Sequence, residues 1–175
     1  GIEGVVHAVK YRHAGLNKET YTIANYFRSK AYHTGIIGKW HLGYDTAFSP
    51  LNFGFDYFKG YVSGNVDYHS HLDGTGLHDC HLQKEEYREE GYTTDLITKA
   101  ASAFIDRNKD APFFLYVAHE APHYPFQDRD DEAVRIEGGR ISNWGDTIGI
   151  KTTYSNMIRA MDEGVGQIIH TLEQC

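Results

Sequence analysis

The run Gly38-Lys39-Trp40-His41-Leu42-Gly43 sets a cation and an imidazole two positions apart. In an extended chain residues i and i+2 share a face, so Lys39 and His41 point the same way while Trp40 points into packing. A second stretch, His119-Glu120-Ala121-Pro122-His123-Tyr124-Pro125, holds His123 between two prolines that stiffen the loop and remove two backbone donors. A lysine beside two imidazoles suits an anionic, oxygen-rich group. The ammonium serves as a point charge and the histidines as proton donors or acceptors near neutral pH. Spacing alone leaves a plainer alternative open, with Lys39 a surface lysine and His41 a hydrogen-bonded loop residue. His119 reads more simply as structural or solvated. His69 and His71, in "DYHSHLDG", are candidates for a substrate mouth, although a Gly- and Asp-rich loop also carries such histidines for turn chemistry. The acidic run at 128–132 reads as a solvated loop, and no pair of carboxylates stands at metal-like spacing beside Lys39 and His41.

These side chains act together only if the fold delivers both stretches to one place. Apolar runs at 34–40 and 112–118 read as strands, and "PFFLYVA" is apolar on both faces, as expected of a central parallel strand covered on each side. Three helical stripes surround them. The first, over 18–31, aligns Ile23, Tyr26, Phe27 and Ala31, and the second, over 94–108, aligns Leu96, Ile97, Ala100, Phe104 and Ile105. The third aligns Tyr154, Ile158, Met161, Val165, Ile168 and Leu172 as a core-facing stripe, interrupted by Gly164 and Gly166, whose low helix propensity close packing is expected to offset. The order helix, strand, helix, strand, helix predicts an α/β fold with a largely parallel sheet flanked by helices. In such sheets ligands bind outside the carboxyl ends of the strands, which is where Lys39, His41 and His123 emerge. Residues 44–91 and 126–150 are expected to be long irregular connections, and such loops in a compact domain are commonly functional.

Composition narrows the field. A 175-residue chain, 41% hydrophobic and 14% aromatic, has material for one packed domain, and its formal charge of −7 argues against a nucleic-acid partner. No stretch has the roughly 18 unbroken apolar residues of a membrane span. Cys80 and Cys175 are the two cysteines, far apart and without a C-x-x-C partner, so neither a disulfide framework nor a zinc knuckle is read from them. Most of the 11 histidines lack the spacing that puts two imidazoles on one helix face.

At "GKWHLG" and "APHYP" the sequence resembles the type I sulfatases, the arylsulfatase-like branch of the alkaline phosphatase superfamily. The resemblance extends through "ETYTIANYFRSKAYHTGIIGKWHLGY" (19–44), "SPLNFGFDYFKGYVSGNVDYHSH" (49–71), "PFFLYVAHEAPHYPFQ" (112–127) and "YSNMIRAMDEGVGQIIHTLE" (154–173), and so covers most of the chain. It implies hydrolysis of a sulfate ester through a formylglycine nucleophile and a calcium ion. The Tyr and His side chains of "DYHSHLDGTGLHDC" (67–80), suited to stacking on and hydrogen bonding to a sugar, make a sulfated carbohydrate the preferred substrate. Carried over by motif, Lys39 contacts the sulfate and the leaving oxygen, His41 bonds a formylglycine hydroxyl, and His123 touches the sulfate or serves the leaving group. The family's C-x-P/A-x-R nucleophile motif does not occur, since Cys80 lies in "HDCHLQ" and Cys175 is the last residue. The paired aspartates and the later Asp-Asn pair that hold calcium are not found either. The expectation is therefore a partial sulfatase catalytic domain over 1–175, alkaline-phosphatase-like and incomplete at both ends, with nucleophile and calcium ligands outside it. Alternatives are a phosphodiesterase or phosphonate hydrolase of the same superfamily, or a non-catalytic remnant that binds sulfated glycans.

Overall fold

The computed structural model describes residues 13–139 and 149–175, so 140–148, part of the connection expected at 126–150, lies outside the described residues. Its centre is β1 (His33–Lys39), buried from Thr34 through Gly38. β1 pairs in parallel with β2 (Tyr57–Tyr61) on one side and β5 (Phe113–Ala118) on the other. Two short antiparallel strands, β3 (His81–Leu82) and β4 (Glu85–Glu86), extend the sheet beyond β2, giving the order β4-β3-β2-β1-β5. The sheet is thus parallel at its core and mixed overall.

Side-chain alternation along β1 assigns its two faces. Ile37 joins Tyr61, Ile97, Ala100, Ala101 and Phe104, so α2 (Thr93–Asn108) covers this face with the stripe expected of it. Ile36 joins Ala24, Trp40, Phe53, Phe55 and Phe58 on the opposite face, beneath α1 (Ile23–Ser29) and the short 3-10 turn Pro50–Phe53. α1 is shorter than the expected 18–31 because Thr22 caps it. The Thr22 hydroxyl accepts from Asn25 N at 3.2 Å and Asn25 Oδ1 accepts from Thr22 N at 2.9 Å, a reciprocal box that sets the first turn. Its stripe also differs: Ala24 is the buried residue, while Ile23 and Tyr26 are exposed and Phe27 stacks on Phe114 at 4.5 Å.

β5 departs from expectation too. It is an edge strand among the described residues and only half-buried, with the Tyr116 side chain 50% exposed. α3 (Ile150–Glu173) lies against α2 and the loops, and buries Met157, Ala160 and Gly164. The stripe read from the sequence is mostly outward, with Tyr154, Ile158, Val165 and Leu172 exposed. Within 44–91, expected to be irregular, lie β2, β3 and β4. No helix among the described residues is long and apolar enough to cross a membrane.

Candidate active site

Because β1, β2 and β5 are parallel, the segments leaving their carboxyl ends meet along one edge of the sheet. Lys39 ends β1, opposite Tyr61 of β2. The close fit there requires glycine: Gly38 has φ +106, and a Cβ on it would stand 2.0 Å from the Ala118 carbonyl oxygen. Trp40 turns into the core as expected, donating Nε1–H to the Phe48 carbonyl at 2.7 Å. His41 follows with φ +54, so strand alternation stops at Trp40 and no longer dictates where its ring points. The ring rests on the loop after β2, where a Cβ on Gly64 would come within 2.7 Å of His41 Cε1 and Nε2.

The segment after β5 closes the site. Glu120 is 4% exposed, and its carboxylate accepts from Val66 N at 3.0 and 3.2 Å. Burial drives its pKa up, against the opposing pull of the Lys39 and Arg135 charges and of Tyr61. Lys39 shows the converse, lowered by burial and lifted back by the Glu120 charge. His123 is half-buried, and its Nδ1 lies 2.7 Å from the Tyr124 carbonyl. A carbonyl only accepts, so Nδ1 carries the proton and the neutral ring keeps a lone pair on Nε2. Burial, then the positive field of Lys39 and of Arg135, lower the His123 pKa, while the Tyr124 carbonyl raises it. Lys39 therefore feels the charge of Glu120 and acts on His123 where β1 and β5 end.

The other histidines are held by their own surroundings. His69 is half-buried, its Nε2 2.9 Å from the Asp128 carbonyl and its ring against Tyr92. His71 is 3% exposed and its Nε2 reaches the Gly91 carbonyl at 2.9 Å, which places it in the interior. His119 is partly buried, and burial lowers its pKa. Three supporting groups escaped the sequence reading. Glu120 stood in plain view as a lone carboxylate directly after an apolar strand. Buried Arg135 donates to the carbonyls of Asn65 at 3.3 Å and Leu72 at 3.0 Å, and to the Asn65 side-chain oxygen. Asp67 accepts from His69 N at 3.0 Å and Ser70 N at 2.9 Å, and from Val134 N and Arg135 N at 2.8 and 2.9 Å, bonds that hold its pKa down. The turn signal for Asp67 was present in D-x-H-S, an Asx-type pattern.

Comparison with known proteins gives the family. The Sulfatase family profile matches residues 3–175. An arylsulfatase of Hemicentrotus pulcherrimus is 32% identical over 181 aligned positions, covering 91% of this chain and 30% of its own length. The crystal structure of Ps i-CgsB superposes with a TM-score of 0.73 at 29% identity, covering 92% of this chain and 38% of that one. The structure of BT4656 in complex with its substrate D-glucosamine-2-N,6-O-disulfate matches with a TM-score of 0.52 at 27% identity, over 67% of this chain and 22% of that one. The chain thus spans about 30% of the arylsulfatase it matches. With the family profile running almost end to end and the Lys39, His41 and His123 motifs delivered to one sheet edge, the chain belongs to the sulfatase family.

Proposed function

We propose that this chain is the middle part of a sulfatase catalytic domain, and that its role is to grip the sulfate of a sulfated carbohydrate during ester hydrolysis. The observation that carries the reading is the parallel pairing of β1 with β5, which brings Lys39 and the Glu120–His123 segment to one edge of the sheet. Lys39 supplies the positive charge for a sulfate oxygen. His41, seated on Gly64, presents an imidazole beside it. His123, neutral with its lone pair on Nε2, is ready to take a proton. An anionic sulfate beside Lys39 offsets its charge and raises the His123 pKa, so on substrate binding His123 takes a proton from solvent at Nε2 and hands it to the leaving oxygen.

The resemblance implies a formylglycine that supplies the attacking oxygen and a calcium ion that clamps the sulfate. Calcium takes about six to eight oxygen ligands. Lys39, His41 and His123 offer nitrogen, and Glu120 is committed to Val66, so this set does not fit calcium. These residues act on the substrate, and the nucleophile and metal ligands belong to sequence outside the 175 residues. The carbohydrate preference follows the names of the relatives, one of which was crystallised with a sulfated glucosamine.

The test is sulfate release from a glucosamine 6-sulfate by the protein carrying its adjoining coding sequence, compared with its Lys39→Ala variant. The expected result is release that falls at least about 100-fold on substitution, on the scale of a lost electrostatic contact to the transition state. The 175-residue chain alone is expected to release none. Hydrolysis of a phosphate diester in place of the sulfate ester, release untouched by Lys39→Ala, or robust turnover by the 175 residues overturns the reading.

A further inference from the structure

The irregular segment after β2 gathers donors that the sulfatase reading does not use. One ring nitrogen of His71, one of His78 and the sulfur of Cys80 all lie within 4.8 Å of one another. Each imidazole is held through one of its ring nitrogens. His71 Nε2 lies 2.9 Å from the Gly91 carbonyl, which only accepts, so that nitrogen carries the proton and Nδ1 keeps the lone pair. His78 Nδ1 lies 3.1 Å from a Glu86 carboxylate oxygen, which leaves Nε2 as the electron-pair donor. A carbonyl or carboxylate bonded to the far nitrogen is how proteins orient imidazoles that ligate metals. The site is shielded as well: His71 is 3% exposed, the His78 side chain 5%, and Cys80 is a half-buried free thiol.

We propose that His71, His78 and Cys80 bind a zinc-type divalent cation through two imidazole nitrogens and one thiolate, with water as the fourth ligand. Two nitrogens and a sulfur are a donor set for a borderline-soft ion and not for calcium or magnesium. Tetrahedral zinc, with Zn–N about 2.0–2.1 Å and Zn–S about 2.3 Å, sets such atoms roughly 3.3–3.6 Å apart. Drawing the cluster in by about an ångström suffices. On binding, the Cys80 S–H bond breaks, the sulfur lone pair enters the coordination shell and the proton leaves to solvent.

The ion has a structural consequence. It joins the turn around His71 to the start of the β3–β4 hairpin, whose Glu86 already orients His78. The neighbouring Asp79 accepts from Val62 N at 3.1 Å and Ser63 N at 2.8 Å, and the next residue, Gly64, carries the His41 ring. A metal here stiffens the loop on which His41 rests. The proposal stands on these donors alone and does not depend on the sulfatase reaction.

The experiment uses the chelator-stripped 175-residue chain titrated with Co2+ and then Zn2+, read by absorption and calorimetry. One equivalent of Co2+ is expected to give a thiolate-to-cobalt charge-transfer band that Zn2+ abolishes by displacement. The chain has two cysteines, so a band that persists in Cys175→Ser, far away at the exposed end of α3, assigns the thiolate to Cys80 without any variant at the site. His78→Ala is expected to weaken binding at least tenfold. No band, a band lost in Cys175→Ser, or binding unchanged in a folded His78→Ala overturns the proposal.

Discussion

α2 and α3 lie side by side and carry similar apolar periodicity, yet they end in different surroundings. α2 buries Ile97, Ala100, Ala101, Phe104 and Ile105. α3 buries Met157, Ala160 and Gly164 and leaves Tyr154, Ile158, Val165, Ile169 and Leu172 exposed. The strands repeat the contrast, since β1 is buried from Thr34 through Gly38 while β5 is half-exposed with Tyr116 at the open edge. Hydrophobic period alone reports that a face is apolar, and what covers it is decided by the rest of the fold. The closed half, α2 on β1 and β2, holds Lys39 in register. The open half is where the proposed remainder of the catalytic domain would dock.

The sharpest way to break this comparison is to truncate one side chain in each half. Phe104 is 3% exposed and fills the space above Gly35, where a Cβ would stand 2.5 Å from its ring. Phe104→Ala is expected to cost about 3–5 kcal/mol in urea unfolding. Ile169, half exposed on α3, is expected to cost less than about 0.5 kcal/mol as Ile169→Ala. A loss of 2 kcal/mol or more at Ile169, on the same scale, would mean that another surface covers this face in solution.

A second test probes the buried carboxylate that the segment after β5 sets against Val66. Glu120 is raised from 4.5 to about 8, so over that range the folded state holds a proton that the unfolded state has released. Its contribution to stability therefore falls as pH rises through this window. Asp67 and Asp79 are lowered from 3.8, and their contribution is present above that value and lost as pH falls. His71, His119 and His123 are lowered from 6.5, and they too favour the folded state less as pH falls below 6.5. Glu120→Gln removes one term and leaves the others. The difference in stability between variant and parent is expected to move in favour of the variant by on the order of 2–4 kcal/mol from pH 4.5 to pH 8. A flat difference would mean that Glu120 is ionised in the folded chain throughout.

Much of the closed half was legible. Residues 34–40 were read as strand where β1 is His33–Lys39, and 94–108 as helix where α2 is Thr93–Asn108, because long apolar runs and periodicity act locally. β2 was not legible. Its Gly60 reads as a loop residue, yet it is there because a Cβ would stand 1.9 Å from the Gly38 carbonyl oxygen on the neighbouring strand. β3 and β4, at two residues each, are too short to show a period. The edge position of β5 depends on pairing, which no single segment encodes. At the candidate site, motif residues were visible in the chain, while the buried groups that support them, Glu120, Asp67 and Arg135, come from segments up to 68 positions apart and meet only in the folded chain. The His71, His78 and Cys80 cluster escaped for the same reason, since its ligands sit in a loop without helical spacing.

The seam between the two helices offers a third test. A Cβ on Gly164 would stand 2.2 Å from Thr98 Oγ1, a hydroxyl already donating to the Thr94 carbonyl at 3.0 Å. Gly164→Ala is expected to cost about 1–3 kcal/mol by forcing α3 off α2. This is the close packing expected of both glycines, and it holds for one of them.

Gly166 lies two residues on and faces open space, with nothing within 4 Å of a built Cβ. The helix therefore bears the conformational cost of glycine there without any return in packing. Gly166→Ala is expected to stabilise the chain by about 0.8–1 kcal/mol, the difference in helix propensity, seen as a higher urea midpoint at unchanged slope. A destabilising Gly166→Ala would show that this outer face of α3 is in contact with another surface in solution, the opposite of what the exposed Val165 and Ile169 beside it indicate.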